Sequence, residues 1–385
     1  MSRKSARWAL MVSFITVLLI FSVLSAGASH PLSYEQNDDE NGPPDIDPPI
    51  PGRIGRFDGT EGDFVSFEII DDGISDHFLD DGPEIFEKIV IEDLGMYRNR
   101  DIGHRYEIKG NGVEIQIYDS STPLIKVDVE PIESEREVSF KLGDMEILDD
   151  RRGQSEIGPF QMEFQGYSGS LMSVDHEDLP AEADGEYINY TIQDRKTFIF
   201  RMERNDFEEE MIEFIRDGIS QAKVGGEYRI VSDDDTGYQQ MAISYRDLDI
   251  QANMKGENTL EMMVSSETLG TEGTILVLEI SSTVMDISTQ EDVRIDFNEE
   301  KASLAENYDD LEGSDEPSYL VEVGEEDAYI FVNVPHFSTN TITIQPFVEI
   351  PEEFLGSLIY YIPAAAASIG IVISGLIYRK HSKKQ

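Results

Sequence analysis

The sequence predicts a mainly β protein. It has two β-rich domains, sandwich or barrel-like and extracellular, linked by one amphipathic helix and followed by a C-terminal transmembrane helix. Three observations predict this. Short apolar–polar alternations recur along most of the chain, separated by Gly, Asp, Asn and Pro. One stretch alone carries strong helical periodicity. Two long uncharged apolar segments lie near the two ends.

The first apolar segment makes residues 1–28 a secretory signal. Arg3, Lys4 and Arg7 precede the uncharged run Trp8 to Leu24, and Ala26-Gly27-Ala28 is a small-residue cleavage site. Residues 29–52 are rich in Pro and acids and poor in apolar residues, which reads as a flexible leader. The first β-rich domain covers 53–202, with strand-like runs such as "DFVSFEII", "KIVIEDL", "VEIQIYD", "LIKVDVE" and "TFIFRM". Turn residues fall between them at spacings typical of sandwiches and partly open barrels.

Residues 203–226 link the domains. Phe207, Met211, Phe214, Ile215 and Ile219 recur at helical spacing, which predicts a helix over about 206–223. Asn205 and Glu208 have the spacing of a capping box, and Gly225 is the expected stop. The second β-rich domain covers 227–346, with a short helical piece expected at 301–311.

Residues 347–353 form a spacer before the second apolar segment, 354–378. Its 25 uncharged residues would reach about 37 Å as a helix, enough to span a bilayer. The tail, 379–385, carries Arg379, Lys380, Lys383 and Lys384, which favours a cytoplasmic C-terminus and a single pass with the large N-terminal region outside. Ala366, Gly370 and Ser374 form a small-residue stripe that could serve helix–helix self-association.

Charge narrows the partners. All 78 acidic residues but only 23 of the 30 basic ones lie in 29–353. Such a surface repels nucleic acid and stays hydrated at high ionic strength. The expected partners are the lipid bilayer, through 354–378, and other envelope proteins or glycans. The chain has no cysteine, so its stability must come from its cores.

The last third carries a resemblance. Pro317-Ser318-Tyr319-Leu320-Val321, then Val332-Asn333-Val334-Pro335-His336-Phe337-Ser338, then Thr341-Ile342-Thr343-Ile344 resemble the membrane-proximal β module of archaeal cell-surface proteins. The resemblance covers roughly 225–346. It implies β architecture and a location at the cell surface, and no particular activity. The chain departs from many such proteins in lacking a Pro-Gly-Phe sorting signal and in ending on a basic tail.

Candidate chemistry is sparse. His336 follows a strand and Pro335, which places it where the chain leaves one strand for the next, with Phe337 packing inward. His30, His77, His104, His176 and His381 are scattered without metal-ligand spacing. "GYSGS", Gly166 to Ser170, misses the last glycine of a nucleophile elbow and reads as a turn. No catalytic residue is assigned, and the protein is not expected to be an enzyme. Calcium is the one cofactor considered. Asp71, Asp72, Asp76, Asp80 and Asp81, with Asp233, Asp234 and Asp235, cluster hard oxygen ligands in loops, although neither cluster matches an EF-hand loop. Asn189-Tyr190-Thr191 is a glycosylation sequon.

Overall fold

The computed structural model describes residues 49–55, 64–79, 82–119, 124–132, 135–148, 159–174, 181–183, 185–203, 208–233, 237–256, 258–266, 268, 273–324, 326–337 and 339–346. The signal segment 1–28, the spacer 347–353, the apolar segment 354–378 and the tail 379–385 lie outside these residues, as does the leader up to residue 48. No helix among the described residues is long and apolar enough to cross a membrane.

In the N-terminal half the strands are β1 (Ile50–Gly55), β2 (Phe64–Ile70), β3 (Gly73–Leu79), β4 (Glu84–Ile91), β5 (Arg98–Asp101), β6 (Arg105–Gly110), β7 (Val113–Tyr118), β8 (Leu124–Val129), β9 (Arg136–Leu142), β10 (Glu146–Ile147), β11 (Phe160–Phe164), β12 (Tyr167–Val174), β13 (Ala181–Ala183), β14 (Tyr187–Ile192) and β15 (Lys196–Glu203). The first of these begins three residues inside the stretch read as leader. One sheet runs β1-β2-β3-β4-β9-β14-β13; the other runs β10-β11-β12-β15-β8-β7-β6-β5. The two face each other across a core of interlocked rings. Phe86 on β4 meets Phe200 on β15 edge-on at 4.9 Å, and Tyr190 on β14 lies 4.6 Å from Phe198. Phe67 on β2 meets Tyr106 on β6 at 5.1 Å. The two edge-on pairs, Phe86–Phe200 and Phe67–Tyr106, add to the burial of the rings themselves.

Two local devices hold this sandwich. Gly73 opens β3 at φ 156°, where a Cβ would lie 1.8 Å from the Ile89 carbonyl oxygen, so only glycine lets β3 and β4 approach. Arg136, at the start of β9, is 0% exposed. Its guanidinium donates to the main-chain carbonyls of Glu92 (2.7 Å), Asp93 (2.7 Å) and Glu130 (2.9 Å). One side chain thereby satisfies three main-chain carbonyls, two in the turn after β4 and one at the end of β8.

The linker forms helix α1 (Glu209–Ser220). Its N-cap is Glu208, without a side-chain cap bond, so the helix begins at Glu209, later than the expected 206; Asn205, the other half of the expected capping box, lies outside the described residues. The helix closes through Lys223 N–H to Gly218 O at 2.7 Å, with Ala222 at φ 54°. Gly225 is not the stop. It sits at a bulge where a Cβ would lie 2.5 Å from Thr274 Oγ1.

The C-terminal half contains β16 (Val224–Asp233), β17 (Gly237–Ser244), β18 (Asp249–Met254), β19 (Leu260–Ser265), β20 (Thr274–Ser281), β21 (Val293–Phe297), β22 (Glu300–Lys301), β23 (Ser303–Leu304), helix α2 (Tyr308–Glu312), β24 (Ser318–Val323), β25 (Asp327–Val334) and β26 (Asn340–Pro346). The helical piece expected at 301–311 is shorter, because β22 and β23 occupy its first residues; Asn307 caps it by accepting from Asp310 N–H at 2.9 Å. The sheets run β17-β16-β20-β25-β24-β23 and β18-β19-β26-β21-β22. Among the described residues two strand pairs are parallel, β16 with β20 and β23 with β24. The chain leaves β17 for the opposite sheet and returns beside β16 in the same direction.

A third core lies between the halves. On β20, Leu276, Leu278 and Ile280 face the second sandwich's interior, while Ile275 and Val277 face away from it. On β25, Ile330, Val332 and Val334 face in and Tyr329 and Phe331 face out. The outward set packs with Leu124, Met172 and Ile199 from the first sandwich and with Met211, Ile215 and Ile219 of α1. A strand buried on both faces reads as a continuous apolar run. "TILVL" and "AYIFV" are such runs.

Candidate functional site

The junction between the sandwiches is apolar on one side and charged on the other. The apolar side is built by α1, whose Phe214 stacks on Tyr308 at 4.3 Å and meets Phe331 at 5.5 Å. On the charged side the strands bring their outward polar residues together. Arg201 on β15 meets Glu227 on β16, Nε to carboxylate oxygen 3.0 Å. Arg229 lies 3.3 Å from Glu279, which also accepts from the Tyr329 hydroxyl at 3.0 Å. Lys126 pairs with Asp128 at 3.2 Å and donates to the Ser244 carbonyl at 2.8 Å, so it bridges β8 to the end of β17. Asp128 accepts from the Thr197 hydroxyl as well.

Arg201, Glu227, Arg229, Glu279 and Tyr329 line a crevice of about 20 Å³ together with Tyr228, Met241, Ile243 and Val277. That is room for about one water molecule. Burial, and then the Glu227 charge, pushes the Tyr245 phenol far above its ordinary value, and burial pushes Tyr118 up to about 12. Both phenols stay neutral. Each lining carboxylate is already held by a guanidinium, and among the described residues no serine, lysine or histidine lines the crevice. The arrangement fixes two sheets in register and offers no nucleophile–base pair.

Those residues singled out from the sequence that the structure describes are not gathered here; His176 lies outside the described residues. Asp71 and Asp72 form the β2–β3 turn, where Asp72 pairs with Lys88 at 3.3 Å. Asp76 lies on β3 at φ 51° and accepts from the Ser75 hydroxyl at 2.8 Å. Asp233 ends β16; Asp80, Asp81, Asp234 and Asp235 lie outside the described residues. Among the described residues no group of three or more His, Asp or Glu is placed to hold a metal. "GYSGS" belongs to a hairpin. Gln165 (φ 47°) and Gly166 (φ 91°) make the two-residue turn between β11 and β12, and Ser170 is buried in β12. Asn189 is exposed on β14 and accepts from the Ser139 hydroxyl at 2.6 Å.

His336 is exposed at the end of β25, with Phe337 buried beside it. Its role is carried by its main chain: the fully buried Asn340 donates from Nδ2 to the His336 carbonyl at 3.0 Å and accepts from Asn298 at 3.0 Å. That asparagine clamp was not visible in the sequence.

Among the described residues His77 is the buried histidine. It is 1% exposed on β3, opposite Phe86, and burial lowers its imidazole from 6.5 to about 3. Below pH ~6.5 the unfolded chain gains a proton that the folded chain refuses. Its contribution to stability is therefore present at neutral pH and is lost as pH falls from 6.5 towards 3. The full loss is about 4–5 kcal/mol. Glu84 and Glu322, raised by burial and then by neighbouring carboxylates, act in the opposite sense, losing their contribution as pH rises. The comparison with His77→Leu isolates the histidine: between pH 7 and pH 4 the melting temperature of the variant is expected to fall less steeply than that of the parent. Parallel slopes would assign the acid sensitivity elsewhere.

Fold and junction together define a mainly β protein of two sandwich-like halves fused through a buried, charge-locked interface. No protein-family model matches the chain, and no curated protein matches its sequence.

Proposed function

We propose that the protein is a single-pass, membrane-anchored cell-surface protein with a structural, adhesive or ligand-display role in the cell envelope. The apolar segment 354–378 crosses the bilayer, the basic tail lies in the cytoplasm, and the two sandwiches stand outside. The observation that carries the reading is the third core. Two sandwiches joined only by a linker would swing; these share an apolar layer, a helix, the buried Arg201–Glu227 pair and the Lys126 bond to the Ser244 carbonyl, and so hold their outer edges and loops in fixed relative positions. A display scaffold uses that stiffness. A tethered hydrolase or solute-binding component would use a deep pocket with convergent polar groups. The junction crevice, at about 20 Å³ with its carboxylates committed, supports the scaffold reading instead.

Protease treatment of intact cells tests the proposal. Residues 49–346 are expected to be degraded or shed, while an epitope placed after Gln385 stays protected until the membrane is permeabilised. Protection of the β region in intact cells, or an accessible C-terminal epitope, would overturn it.

A further inference from the structure

We infer that β5 is a docking edge for an extended acidic segment of a partner polypeptide, which adds to the sheet as a further strand. Strand β5 reads Arg98-Asn99-Arg100-Asp101, with all four residues exposed, and it ends its sheet among the described residues. Met96, just before it, is 97% exposed. A sheet edge presents main-chain donors and acceptors to any extended chain that reaches it.

The side chains select the partner. Arg98 and Arg100 share a face, about 7 Å apart along the strand. Across β6 they oppose Lys109 and Glu107. Glu107 is already taken by Arg105 at 2.8 Å and lies 3.8 Å from Lys109, and Lys109 also reaches Glu114 at 3.0 Å. Four cations thus stand against two carboxylates. Neither Arg98 nor Arg100 meets a partner among the described residues. In a chain of formal charge −48 this edge is a local inversion of sign. A strand with acids at alternate positions would place one carboxylate against each arginine while its main chain pairs with β5.

A second copy of the chain fits poorly. Antiparallel pairing of β5 with itself needs a twofold axis normal to the sheet, which keeps each face on its own side. Residues of like parity then oppose, so Arg98 meets Arg100 of the other copy, or Arg100 meets itself. Like charges directly opposite destabilise a pair.

The inference deepens the display reading by naming one displayed edge and its ligand chemistry. It rests on that reading only for its setting, since the binding assay and the topology assay fail separately. The experiment measures fluorescence anisotropy of short labelled peptides with the full-length protein at low salt. A peptide alternating Glu and Val is expected to bind at least about tenfold more tightly than one alternating Lys and Val. Arg98→Glu with Arg100→Glu is expected to abolish that preference, and Arg98→Lys with Arg100→Lys to keep most of it. Both residues are exposed, and an unchanged melting temperature verifies that the reversed variant is folded.

An N-methylated Glu–Val peptide keeps its charge but cannot pair as a strand, and it is expected to lose binding. Equal binding of the methylated peptide would overturn strand addition in favour of charge attraction alone. Displacement of the peptide by a polyuronate that itself binds more tightly, and only when the two arginines are present, would overturn the polypeptide ligand in favour of a glycan. Self-association of the parent protein that vanishes in the reversed variant would likewise overturn it.

Discussion

Arg136→Met is expected to destabilise the protein by about 3–5 kcal/mol, seen as a lowered denaturation midpoint at neutral pH. The side chain is 0% exposed and is the largest fully buried one. Methionine fills a similar volume but supplies none of the three N–H donors that reach Glu92, Asp93 and Glu130. Three main-chain carbonyls lose their partner, each at a cost of about 1–3 kcal/mol where water does not replace it. Arg136→Lys is expected to recover only part of the loss. An ammonium is a point donor, and the carbonyls lie around a planar fork that spans residues 92 to 130. A loss below about 1 kcal/mol in the methionine variant would mean that water reaches the site, and that the arginine does not organise the turns.

The second large effect lies at the junction. Glu227→Ala should cost about 3–5 kcal/mol, because it strips the carboxylate from Arg201, a cation that is 6% exposed. Replacing both partners, Arg201→Met with Glu227→Leu, is expected to restore stability to within about 1 kcal/mol of the parent, since an apolar pair carries no desolvation penalty. The double-mutant cycle therefore reads a coupling of opposite sign to the single losses. If the single variant is neutral, the pair is solvated and the sandwiches are not locked through it. If the double variant is as unstable as the single one, the junction depends on shape rather than on charge.

Much of the fold was legible because burial on one face imposes a period of two. The alternation in "VEIQIY" has its physical cause in Val113, Ile115 and Ile117 pointing into the first core while Glu114 and Gln116 point out. The linker helix was legible for the same reason at a different period, since Met211, Ile215 and Ile219 share one stripe. Its start was misread. The helical period runs back to Phe207, yet the helix itself starts at Glu209 with Glu208 in extended backbone as its N-cap. Gly225 was misread as a helix stop because a bulge forced by close approach to Thr274 leaves the same residue type in the sequence.

The junction was only half legible. The two-sided runs "TILVL" and "AYIFV" announce strands covered on both faces, yet the sequence does not say by what. Lys126, Arg201, Glu227, Arg229 and Glu279 look like ordinary outward residues of half-exposed strands. A lone Glu279 inside an otherwise apolar strand was the available hint that a buried cation waits opposite. Pairing across 26 residues for Arg201 and Glu227, or 118 for Lys126 and Ser244, leaves no trace in local spacing.

By itself, then, the sequence determined the periods: which stretches are strands, which is a helix, and which of their faces must leave water. Those follow from local geometry and the hydrophobic effect, acting residue by residue. Tertiary structure alone decided that β20 returns parallel to β16, that the outer faces of two sheets become a third core, and that buried charges there find partners. Each of these depends on which distant surfaces meet, and a period in the chain carries no record of that meeting.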